Sequence, residues 1–170
     1  SINYFYKDLK SHIGLEDSVI SYNNDEYDIT RTLNGDGGVI QGFEILYQQS
    51  LDMLPAPFDG LGIYANYSYT DSDVMEFKPE NNPYNLGGLS KDIASFTLWY
   101  DKDGLQARIA ANYRSETFQG VRNVDPYYFA SYLKPTTYVD ASVSYDMGDN
   151  FTVLLQGTNL TEESRTRYFQ

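Results

Sequence analysis

Residues 61–70 read LGIYANYSYT, with Leu61, Ile63, Ala65, Tyr67 and Tyr69 at one set of alternate positions and Gly62, Tyr64, Asn66, Ser68 and Thr70 at the other. Successive side chains of an extended chain point to opposite faces, so this stretch is a strand with one apolar side. Residues 105–114, LQARIAANYR, repeat the pattern: Leu105, Ala107, Ile109, Ala111 and Tyr113 oppose Gln106, Arg108, Ala110, Asn112 and Arg114. Residues 138–145 set Val139, Ala141, Val143 and Tyr145 against Asp140, Ser142 and Ser144. The polar turn MGDN then leads into FTVLLQGTNL (151–160), with Phe151, Val153 and Leu155 on one face. Residues 94–100 place Ala94, Phe96, Leu98 and Tyr100 together, and the DKDG turn at 101–104 joins them to the strand at Leu105. Residues 39–49 give Phe43, Ile45 and Tyr47 opposite Gly42, Glu44 and Gln48; a first strand within 2–13 alternates less clearly.

The expectation is an all-β chain, an antiparallel up-and-down meander of about seven strands of roughly ten residues each, the length of tilted strands that cross a bilayer. No 3.6-residue period competes with it. The connections alternate in length: 15–36, 74–90 and 116–135 are long, whereas 52–60, 101–104 and 147–150 are short. Long loops therefore share one end, as in a bacterial outer-membrane barrel. Alternating strands with polar turns also describe a soluble β-sandwich, which has no reason to sort its loops by length.

Composition bears on the same choice. Seventeen Tyr and nine Phe accompany a mean hydropathy of -0.50, so the aromatic content does not come with the aliphatic residues of an ordinary core. Tyr69, Tyr100, Tyr113 and Tyr145, near strand ends, suit the aromatic girdles of a membrane interface, where the ring is apolar and the hydroxyl reaches water. Twelve basic residues against 24 acidic ones give a formal charge of -12, which repels phosphate backbones and argues against nucleic acid as a partner. The absence of cysteine excludes disulfides and thiolate chemistry. No segment is apolar enough for a spanning helix, and the first residues do not read as a signal peptide.

Several stretches then resemble a known family. QGFEILYQQSLDMLPAPFDGLGIYANYSYTDSDV (41–74), ARIAANYRSETF (107–118) and YVDASVSYDMGDNFTVLLQGTNLTEESRTRYF (138–169) are similar, in order and spacing, to late barrel strands of TonB-dependent outer-membrane receptors, particularly a branch associated with carbohydrate uptake. The resemblance implies one segment of a transmembrane barrel of about 22 strands. It also implies a plug domain and a TonB-contacting segment encoded upstream and outside residues 1–170, and a final strand beyond Gln170. It further implies import of a large or scarce ligand, a carbohydrate before an iron chelate, with the plug, TonB and outer-membrane lipid as the other partners. Seven strands alone would leave an open edge in lipid, with unpaired backbone groups costing several kcal/mol each.

No motif for catalysis is present, and no cofactor is implied. The single histidine, His12, reads as a polar strand-end residue. Asp25, Glu26 and Asp28, and Asp71, Asp73, Glu76 and Glu80, lack the order of an EF-hand and read as solvated loop charge rather than a metal site. Asn159 heads a formal N-L-T glycosylation triplet, disregarded in a bacterial protein. A glycoside-active enzyme would need two carboxylates across a cleft, and nothing points to that pair.

The segment 116–135 is the candidate ligand site, because Arg122, Asn123 and Asp125 are interleaved with Tyr127, Tyr128, Phe129 and Tyr132. Sugars are held by ring stacking on aromatic faces and by planar polar groups that fix hydroxyls. The plainer reading is girdle or loop packing of those aromatics. By parity Glu44, Asn66, Arg108, Arg114 and Asp140 face the lumen, where the arginines are expected to pair with Glu44 or Asp140 or to contact plug or ligand. A soluble carbohydrate-binding or adhesin module is the competing class.

Overall fold

The computed structural model describes residues 1–77, 84–124, 127–148 and 150–170. Seven strands form one antiparallel sheet in the order β1 (Ile2–Tyr22), β2 (Asp25–Ser50), β3 (Leu61–Ser72), β6 (Asp92–Lys102), β7 (Leu105–Arg114), β10 (Thr136–Asp146) and β11 (Thr152–Gly157). Each strand pairs with the sheet strand before it, so this is the expected up-and-down meander. The remaining strands lie in the long connections: β4 (Met75–Phe77) with β5 (Tyr84–Asn85), and β8 (Thr117–Val124), β9 (Tyr127–Leu133) and β12 (Arg167–Phe169) in a three-stranded sheet of order β12-β9-β8.

Register turns the alternation of single strands into continuous rows. Ile63 pairs with Leu98, Leu98 with Ile109 and Ile109 with Ala141; the neighbouring row runs Tyr47, Ala65, Phe96, Ala111, Val139. Directly paired residues share a face, so the apolar sets of five strands merge into one surface. At its two ends lie Phe43, Tyr67, Tyr69 and Tyr113 on one side and Tyr100 and Tyr145 on the other. Phe43 stacks on Tyr69 at 5.5 Å between ring centres, and the Tyr67 hydroxyl donates to Asp92 at 2.6 Å.

Among the described residues nothing packs against this surface. Among the described residues, only Val74, Ala130 and Leu133 are buried apolar side chains, and all three lie in the long connections rather than in the sheet. Phe96, Ile109, Tyr145 and Leu155 are 45–70% exposed. The accessible area is 12202 Å² for 19.4 kDa, whereas a compact soluble chain of that mass exposes about 8,500 Å². A sandwich would have covered this face; here the sheet is a single layer.

The short turns follow local chemistry. β6 and β7 meet through Asp103 and Gly104, both at positive φ (51° and 76°), the backbone of a two-residue type I′ turn. The 52–60 connection is held by Lys102, whose ammonium donates to both oxygens of Asp59 at 2.6 and 2.7 Å; that hydrogen bond keeps the Asp59 carboxyl below the usual carboxylate range.

Three expectations are corrected. Residues 15–36 are not a long loop: β1 and β2 stay paired from Ile2↔Ile45 to Tyr22↔Asp25 and turn through Asn23 and Asn24 alone, at φ 52° and 65°. Beyond the last β2–β3 pair, Ile40↔Ser72, this hairpin extends by about 45–50 Å. Both its faces meet water, so the sequence carries no period-2 signal, while the backbone groups still pair with one another. The segment 116–135 is likewise the β8–β9 hairpin. The strand read at 151–160 ends at Gly157, because Asn159 takes φ 50° and starts a turn in which its side chain accepts from the Glu163 N–H (2.9 Å) and donates to the Glu163 carbonyl (3.0 Å).

Candidate ligand-binding face

The long connections converge at one end of the sheet and are fastened there. The Ser90 and Thr117 hydroxyls are buried and hydrogen-bonded to each other, the Gly88 N–H donates to the Phe118 carbonyl, and Asp73 exchanges hydrogen bonds with Val39 through both its carboxylate and its N–H. After β11 the chain continues alongside β10 towards the long-connection end, with the Asn159 N–H donating to Asp140 (2.8 Å), the Leu160 N–H to the Val139 carbonyl (2.7 Å) and the Thr137 N–H to Glu163 (3.1 Å). β12 then adds to β9. Its Tyr168 hydroxyl donates to Glu116 at 2.5 Å, and this hydrogen bond, with desolvation second, pushes the Tyr168 phenol up to about 12.

The candidate residues of 116–135 do not form one cluster. The pairs Arg122↔Phe129 and Val124↔Tyr127 put Arg122, Tyr127 and Phe129 on one face of the hairpin, with Tyr127 and Phe129 rings 6.4 Å apart. Tyr128 and Tyr132 take the other face by parity, and Asn123 is opposite Tyr128 in register. Tyr132 is already engaged, stacked on Tyr168 at 5.5 Å and tilted against Phe118 at 5.5 Å. Asp125 lies outside the described residues. The open aromatic surface is thus Tyr127 (65% exposed) with Phe129 and Arg122 on one side, and Tyr128 on the other.

Glu44, Asn66, Arg108, Arg114 and Asp140 do share the polar face of the large sheet, by the register that joins Glu44 to Ser68, Asn66 to Ser95, Ser95 to Asn112, and Arg108 to Ser142. The expected ion pairs are not made. Glu44 lies in the same row as Arg114 but three strand spacings away, about 14 Å. Asp140 is diagonal to Arg108 across β7 and β10 and already accepts the Asn159 N–H.

The sequence did not single out a second convergence. A cavity of about 360 Å³ on the polar face, at the long-connection end, is lined by Arg114, Asn112, Ser95, Tyr138, Lys134 and Arg165. Arg165 comes from the segment between β11 and β12 and Lys134 from the link between β9 and β10, so no local pattern joins them. His12 places Nδ1 2.8 Å from the Asp36 carbonyl, within the projecting hairpin. Among the described residues no group of three or more acidic or histidine side chains could hold a metal ion; Glu80 is not among them. No helix of the described residues is long and apolar enough to cross a membrane, which leaves strands untouched.

A one-layer antiparallel meander, apolar and uncovered on one face and polar on the other, with short turns at one end, is a piece of transmembrane β-barrel wall. The family model described as TonB dependent receptor-like, beta-barrel matches residues 1–160, and the chain belongs to that family. Its members are outer-membrane proteins of Gram-negative bacteria and are transporters rather than enzymes. No curated protein and no solved structure matches the chain.

Proposed function

We propose that the chain is part of the barrel of an outer-membrane receptor that imports a large or scarce ligand, a carbohydrate in preference to an iron chelate, using energy delivered through TonB to a plug domain. The uncovered apolar face carries this reading. Its Tyr and Phe borders meet the two lipid interfaces, the short turns lie in the periplasm and the long connections outside the cell. The polar face with Glu44, Asn66, Arg108, Arg114 and Asp140 lines the lumen, against plug and passing ligand. The β8–β9 hairpin offers the sugar-stacking surface through Tyr127, Phe129 and Tyr128, with Arg122 beside them.

Deletion of the intact receptor should abolish growth on its oligosaccharide as sole carbon source at low concentration, with the same loss in a strain lacking TonB. Equal growth of deletion and parent on every oligosaccharide, together with a defect confined to iron limitation, would replace the carbohydrate with the chelate. Recovery of the native receptor in a soluble fraction would end the barrel reading.

A further inference from the structure

Half as many basic as acidic residues are spread along this chain, yet three of the twelve cations, Arg114, Lys134 and Arg165, line one cavity. None of the three makes an ion pair or a side-chain hydrogen bond with any described residue. Four carboxylates close in sequence or in register each accept a neutral donor instead. Asp140 accepts the Asn159 N–H, Glu163 the Thr137 N–H, Glu116 the Tyr168 hydroxyl and Asp92 the Tyr67 hydroxyl. The cavity volume of about 360 Å³ is within the roughly 300–1,000 Å³ of small-molecule sites. Asn112, Ser95 and Tyr138 add hydroxyl and amide groups to its wall, so cations and neutral hydrogen-bonding groups are present together.

We propose that this cluster is a carboxylate-binding site for the imported ligand. It rests on the import reading and narrows it: the ligand is an anion, either an oligosaccharide containing uronic acid or a ferric polycarboxylate chelate. The guanidinium forks of Arg114 and Arg165 suit a planar carboxylate, and Lys134 contributes a compact charge. Asn112 and Tyr138 then contact neighbouring hydroxyl or carbonyl oxygens. The site lies on the lumen side of the wall beneath the β8–β9–β12 sheet, so a ligand first met by the outer aromatics passes it on the way in.

The test uses the intact receptor in detergent and titration calorimetry with three probes: trigalacturonate, its methyl ester and ferric citrate. At least one of the two anionic probes should bind, with an affinity that falls as salt is raised. The methyl ester should bind about tenfold more weakly than trigalacturonate if the sugar is the ligand. Arg114→Gln and Arg165→Gln should each weaken the bound anion by about tenfold or more, with Arg114→Lys partly restoring it and Lys10→Gln, in the projecting hairpin, without effect. Trigalacturonate binding alone identifies an acidic saccharide; ferric citrate binding alone identifies a chelate. Equal binding of trigalacturonate and its ester, unchanged in the variants, would overturn the carboxylate site and leave import of a neutral sugar standing. Failure of both anions to bind would also overturn it. Variants that lower the melting temperature but not anion affinity would overturn it too, assigning the cations to an internal acidic partner.

Discussion

Ile109 lies near the middle of the apolar face, paired with Leu98 and Ala141 and 45% exposed. Along β6 the outward positions run from Lys102 to Asp92, eleven residues that span about 33 Å along the strand and about 25 Å in height at a barrel tilt near 40°. Ile109, level with Leu98, is four residues from one end of that span and six from the other. An arginine there meets the hydrocarbon midplane and should cost about 2–4 kcal/mol, lowering the folding equilibrium constant by about 30- to 900-fold. Leu105→Arg, on the same face but level with Lys102 at the short-turn end, should cost about 1 kcal/mol or less. Ala110→Arg, on the opposite face between Thr97 and Asp140, should be close to neutral. The assay is reversible unfolding of the intact receptor in lipid vesicles by urea, followed by heat-dependent gel mobility. A sandwich core would penalise Ile109→Arg and Leu105→Arg alike, and a water-facing sheet neither. Either result, or a larger cost at Ala110 than at Ile109, would refute the assignment of faces.

A Cβ at Gly62 would collide with the Trp99 ring, which lies across it on the polar face. Gly62→Ala should therefore destabilise by about 1–3 kcal/mol and shift the emission of Trp99, the only tryptophan; unchanged emission would contradict the contact. Asn159→Ala removes both hydrogen bonds to Glu163 and places alanine at φ 50°, so hydrogen exchange should accelerate at the Glu163 amide while β7 and β10 amides stay protected. The Tyr168 phenol, held protonated by Glu116, favours the folded state fully below pH 10, the ordinary tyrosine value, and that contribution is lost as pH rises towards about 12. Ultraviolet titration should show one tyrosine ionising near 12 that moves down towards 10 in Glu116→Gln; no such shift would remove the hydrogen bond as its cause.

Where one face of a strand meets hydrocarbon and the other water, the two environments write themselves into alternate residues. LGIYANYSYT and LQARIAANYR therefore showed their own faces, and pairing only aligned them: Ile63, Leu98, Ile109 and Ala141 fell into one row, as their parity required. DKDG was legible as a turn for an equally local reason, since Asp and Gly tolerate the positive φ it needs. Where water lies on both sides, the local signal is gone. Residues 15–36 looked like a loop because neither face selects apolar residues, and 116–135 because polar and aromatic residues are mixed along it without a period of two, yet the backbone groups of both pair across a hairpin all the same. Within β8 and β9, a register shift between Phe118 and Gly120 and the strand pairing beyond it place Arg122 and Tyr127 opposite to Tyr128 and Tyr132, which spacing alone had grouped. The convergence of Arg114, Lys134 and Arg165 depends on a chain that leaves β11, turns at Asn159 and runs on beside β10 to join β9. Each step is fixed by hydrogen bonds to residues far away in sequence, so only the folded chain decides which cations share a cavity.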